Sequence, residues 1–151
     1  MRCARMLGKN RVISMTRIKT YDELCHIESF EDRFEYLKLG GSVGVETFGF
    51  DRYLNQEFYR SREWKNVRQH VILRDNGCDL GVSGYEIYNS LLVHHINPIQ
   101  SDDIKHGDDW ILDSNFLITT TKNTHNAIHY GDRSLLITKF VERKPGDTRL
   151  W

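Results

Sequence analysis

Two pairs of histidines constrain this chain more than any other feature. His94 and His95 are adjacent and close a short apolar run, Leu91-Leu92-Val93, with Ile96 and then Asn97-Pro98 behind them. That run predicts a strand over 90–96, stopped by Asn97-Pro98. His125 and His129 stand four residues apart in a segment that predicts a helix over 121–130, with Gly131 as its stop. Between the pairs, residues 97–114 read as a long polar connection containing Gly107, and Asn115 to Thr119 predicts a second short strand. A connection of that length inside a compact domain is unusual unless it is functional. The order is therefore strand, long connection, strand, helix, in an α+β domain.

The same spacing suggests chemistry. Residues four apart on a helix share one face, so the His125 and His129 imidazoles can converge on one metal ion. A third ligand from elsewhere would leave a position open for substrate, as a catalytic metal site requires. Neighbours on a strand point to opposite sides, so His94 and His95 should not bind the same ion. This divergence suits phosphodiester hydrolysis, in which the attacking water and the leaving oxygen lie on opposite sides of phosphorus. One histidine can hold a metal near the leaving oxygen. The other can take the water's proton, for which an imidazole with an ordinary pKa of about 6.5 is suited. His26, His70 and His106 are isolated and read as structural or surface residues.

Taken together, 92–98 (Leu-Val-His-His-Ile-Asn-Pro), Asn115 and 125–129 (His-Asn-Ala-Ile-His) resemble the motif of the HNH endonucleases, and most closely the small HNH enzymes encoded by bacteriophages. The runs 74–80 and 48–55 are similar to that group as well. The motif covers about residues 91–130, with a core domain boundary at 90–131. The resemblance implies a ββα-metal (His-Me finger) core carrying N-terminal helices. It implies His94 and His125 as metal ligands, His129 as a further ligand, His95 as general base, and Asn115 as the residue that holds the long connection and so orients His95. The implied activity is metal-dependent cleavage of DNA, by nicking or by a double-strand break, in the cytoplasm of a phage's host and beside the terminase that packages DNA. A homing endonuclease is one alternative. A non-enzymatic metal-containing DNA-binding or phage assembly module is another. Two departures stand out. The cysteines that often flank the motif are missing, with Thr120 and Asn123 or Thr124 in their stead, so no zinc ribbon is encoded. The first ligand is histidine where many members carry aspartate, which favours Zn²⁺, Ni²⁺, Co²⁺ or Mn²⁺, although Mg²⁺ needs few protein ligands.

Composition is compatible with this reading. The chain has 151 residues, enough for one domain with a core. We expect residues 1–19 to be a disordered arm, with Met15 as a second candidate start, and 20–151 to be the nuclease domain. Residues 21–39 predict one helix or two short ones, ended by Gly40-Gly41, and 43–50 read as turn-like. Residues 61–74 predict a helix ended by Asp75-Asn76-Gly77. Trp64, Ile72, Leu80, Leu92, Ile96, Phe116 and Ile118 are the expected core. The 21 basic and 21 acidic residues cancel, so distribution matters more than the sum. Arg60, Arg62, Lys65, Arg68 and Arg74 form the expected phosphate clamp, with Lys122 near the metal and the basic tail 139–149 as a second contact. No helix-turn-helix or zinc-finger pattern is present, so weak sequence specificity on duplex DNA is expected. Cys3, Cys25 and Cys78 are sparse and unpaired in spacing, which fits a reducing compartment. No stretch approaches the roughly 18 apolar residues of a membrane span.

Overall fold

The computed structural model describes residues 18–39 and 52–136. Most of the expected arm (1–17), the Gly40-Gly41 break, the segment 43–50, the start of the 48–55 run and the tail 139–149 lie outside the described residues. Lys19, the last residue of the expected arm, is held: its N–H donates to Asn97 Oδ1 (3.0 Å) and its carbonyl accepts from Asn97 Nδ2 (2.8 Å). Asn97, two residues past the end of the first strand (Leu92–His95), thus ties the start of the described chain to it.

Small polar residues set the helix boundaries. The segment 21–39 forms two helices, α1 (Tyr21–Cys25) and α2 (Phe30–Leu37). Thr20 caps the first by accepting from the Glu23 N–H, and Ser29 caps the second by accepting from the Asp32 N–H. Helix α3 (Arg52–Arg60) has no counterpart in the sequence reading. Helix α4 (Arg62–Arg74) begins after Ser61, whose hydroxyl accepts from the Trp64 N–H. Strand β1 (Leu92–His95) follows, then β2 (Leu117–Thr120) and α6 (Lys122–Tyr130), capped by Thr121.

The connection between the strands is not an irregular loop. Its residues 101–106 (Ser101–His106) form α5, where the Gln100 N–H donates to Asp103 Oδ2 at 2.7 Å and Gly107 closes the helix at φ 66°. Two 3-10 turns, Asp109–Leu112 and Ser114–Phe116, complete the path. The second turn absorbs Asn115 and Phe116, so β2 starts at Leu117 rather than at Asn115. Polar side chains in this connection act as helix caps, which reads in sequence as a loop.

The fold among the described residues is α+β, with six helices and one antiparallel pair of strands. The register pairs Leu92 with Thr120, Val93 with Thr119, His94 with Ile118 and His95 with Leu117. Residues paired across an antiparallel ladder share a face, and this register gives the sheet two different apolar layers. Ile118 and Ile96 join Leu24, Phe34, Leu37, Leu80, Ala127 and Ile128 on one side. Leu117 joins Trp64 and Val71 on the other, flanked by Phe58, Val67, Val93 and Leu112. Full burial of a side chain such as Phe34 contributes about 1.5–3 kcal/mol. Of the expected core, Trp64, Leu80, Ile96 and Ile118 are buried, whereas Ile72 and Phe116 are half-buried. Leu92 is corrected outright: at 36% exposure it sits at the open end of β1. No helix among the described residues is long and apolar enough to cross a membrane.

Candidate metal centre

The two-sided sheet separates the adjacent histidines. His94 shares the face of Ile118 and looks toward α6, where His125 and His129 project from one side of the helix. The ring centroids of His94 and His125 are 5.0 Å apart, those of His94 and His129 4.9 Å, and those of His125 and His129 4.3 Å. One ring nitrogen from each of the three lies within 4.8 Å of the others, so together they could hold a metal ion. The His125 and His129 Nε2 atoms are 3.1 Å apart. Two ligands of a tetrahedral zinc at ordinary Zn–N distances stand about 3.4 Å apart, so this pair is already near coordination spacing.

The electrostatics suit a cation ligand set. His94 is 4% exposed and its Nε2 is buried without a hydrogen-bond partner. Such an atom costs about 1–3 kcal/mol unless something fills its lone pair. Burial, followed by the neighbouring His125, His129 and His95, pushes the His94 pKa well below the usual range. Burial also lowers His125, and burial plus His125 lowers His129 to about 4. All three imidazoles are thereby favoured in the neutral form, the form that binds a metal.

His95 faces the other layer. Its ring stacks on Trp64 with centroids 5.2 Å apart and planes 18° apart, and Phe58 and Trp110 stand at 6.3 and 6.4 Å. Its Nε2 lies 2.9 Å from the Ile111 carbonyl oxygen. A carbonyl only accepts, so Nε2 carries the proton and Nδ1 keeps its lone pair. Burial lowers the His95 pKa to about 4, partly offset by the Ile111 bond, so the ring is neutral near pH 7. It is 7% exposed. A cavity of about 250 Å³ shares Phe58 and Ile111 with its surroundings and is lined also by Ser61, Glu63, Asp108 and Asp109. The carboxylates disfavour a phosphate inside that cavity.

The remaining predicted residues disperse. The Asn115 Oδ1 accepts from the Asp22 N–H at 3.1 Å, which joins the end of the connection to α1. The Ile111 carbonyl holds the His95 ring, a backbone group with no signature in sequence. Arg60, Arg62 and Lys65 are exposed on α3 and α4, and Lys122 is exposed at the start of α6. Arg68 is half-buried, with Nη2 3.4 Å from the Leu91 carbonyl. Arg74 is engaged within the fold. Its guanidinium donates to the Ser114 and Leu117 carbonyls (2.7 and 2.9 Å), pairs with Asp75 and covers the Tyr21 ring at 3.3 Å. Those contacts occupy it in the fold. Trp64 reads in sequence as core, and no pattern in sequence marks Phe58 or Trp110 as a neighbour of His95, since aromatic content alone does not say which imidazole the rings surround.

No family model, curated protein or solved structure matches the chain.

Proposed function

We propose that this chain is a metal-dependent endonuclease of HNH type that hydrolyses DNA phosphodiester bonds, with a ββα-metal core formed by β1, β2 and α6. The observation that carries the reading is the convergence of His94, His125 and His129 on one side of β1 while His95 faces the other. His94, His125 and His129 would hold the divalent ion, and an imidazole set favours Zn²⁺, Ni²⁺, Co²⁺ or Mn²⁺. Such an ion supplies Lewis-acid stabilisation of the charge that develops on phosphorus-bound oxygens.

The chain's own residues do the rest. The Ile111 carbonyl fixes the His95 tautomer, so Nδ1 is the atom that accepts a proton from an attacking water. The stack on Trp64 restricts ring rotation. Arg60, Arg62, Lys65 and Lys122 are exposed cations available to backbone phosphates, a contact that reads no sequence.

One observation favours a second reading. His95 is buried beneath Trp64, and a general base must meet its water. A non-catalytic metal module uses the three-histidine set and leaves His95 as packing. Incubating supercoiled plasmid with the protein and a panel of divalent ions separates the two. The nuclease reading expects nicked or linear product, lost in His95→Ala while Zn²⁺ affinity is kept. Zinc binding without any cleavage across the panel establishes the second reading, and undiminished cleavage by His95→Ala removes the proton-transfer role.

A further inference from the structure

We infer that Asp79 is a positioning residue that fixes the metal-ligating helix α6 against the strand that supplies His94. The inference rests on the reading of His94, His125 and His129 as a metal site.

Asp79 lies in the turn after α4, far in sequence from α6, and is 6% exposed. Its Oδ1 accepts from the Thr121 N–H at 3.1 Å. Its Oδ2 accepts from the Thr121 hydroxyl at 3.0 Å and from the Thr124 hydroxyl at 2.5 Å. All three donors belong to the first turn of α6 or its cap, where a carboxylate is also favoured by the helix dipole. Bonds to an ionised acceptor are shorter and about twice as strong as neutral ones. Thr124 directly precedes His125.

The other side of Asp79 is equally fixed. Its N–H donates to the Tyr85 carbonyl at 2.7 Å. The next residue, Leu80, adopts φ 54°, is fully buried with Ile96 and Ile118, and accepts from Arg33 Nη1 at 2.9 Å. Asp79 is therefore attached to the layer beneath His94 and grips the helix that carries the other two imidazoles. Ala127 and Ile128 bury the same helix, but apolar burial is non-directional. A one-residue adjustment of α6 turns its side chains by about 100°, which would swing His125 off the shared site. The three bonds to Asp79 are directional and specify one setting.

Titrating the full chain with Co²⁺ and reading the d–d absorption tests this without reference to cleavage. We expect Asp79→Asn to weaken Co²⁺ binding by about tenfold or more, as losing a supporting hydrogen bond does at other sites, and to alter the band shape. Thr124→Val removes one hydroxyl at nearly constant volume and should move both readouts the same way by a smaller factor. It decides the matter if Asp79→Asn does not fold. Folded variants with wild-type affinity and spectrum overturn the inference while the metal site stands. A wild-type protein with no Co²⁺ band overturns both.

Discussion

Replacing Arg74 by methionine tests whether this arginine belongs to the fold or to a phosphate clamp. The guanidinium makes two bonds to carbonyls, of Ser114 and Leu117, and a paired contact with Asp75 (2.8 and 3.2 Å). The Asp75 side chain is fully buried and also accepts from the Thr119 N–H at 2.8 Å. Methionine keeps the packing of the stem and leaves a buried carboxylate without its cation. Removing one partner of a buried pair costs about 3–5 kcal/mol. The Arg74 side chain is 20% exposed, so water can partly replace it, and we expect the lower end, about 3 kcal/mol. For a domain of this size that corresponds to a melting temperature roughly 10 °C lower. Urea unfolding followed by circular dichroism should show a shifted midpoint at unchanged slope. In the same protein the salt dependence of DNA binding should keep its slope, whereas Lys65→Met should lower it by about one charge. A stability change below about 0.5 kcal/mol together with a reduced salt slope would refute this reasoning and return Arg74 to the DNA surface.

Acid should destabilise the metal-free protein through its histidines. His95 titrates near 4 when folded and near 6.5 when unfolded, so the unfolded chain takes up the proton first as pH falls. The stability present above pH 6.5 is therefore lost down to about pH 4 and no further, by about 3 kcal/mol at most from this ring; a urea midpoint flat across that window would contradict it. His94→Leu removes a buried nitrogen that has no partner. The metal-free variant should match or exceed wild-type stability by about 1 kcal/mol, and the rise in melting temperature with Zn²⁺ should disappear; a destabilised variant that keeps its zinc response would count against the site. Gly107→Ala should cost about 1 kcal/mol, because no atom stands within 4 Å of the added carbon and only the φ of +66° opposes it. An unchanged unfolding midpoint would show that α5 is not closed at that residue.

The histidine pairs carried most of what the sequence revealed. Alternation along a strand separates His94 from His95, and helical spacing joins His125 to His129, so local geometry alone is enough to anticipate both. Ser61, Thr121 and Gly131 marked helix ends for the same reason. What escaped notice depends on contacts distant in sequence. Helix α3 carries Phe58 to the His95 layer, yet nothing within 52–60 announces a partner for it. Asn115 is polar wherever it sits, and only the folded chain shows its amide oxygen committed to Asp22. Arg74 looked like its basic neighbours until Asp75, Ser114 and Leu117 closed around it. Thr124 reads in sequence as the replacement of a cysteine, while its hydroxyl bond joins it to Asp79, 45 positions away.

The four-residue pairing of β1 with β2 makes the alignment of two short strands a chemical variable. Sliding β1 by one position would keep every histidine in the chain and yet present His95 to α6 and bury His94 against Trp64. A single-codon deletion at Val93 is thus a sharper perturbation than most side-chain replacements, because it exchanges the two histidines between unlike environments while also taking Val93 from the Trp64 layer and turning Ile96 out of the opposite one. Strand length between Ser90 and Asn97 decides which imidazole joins His125 and His129 as much as residue identity does.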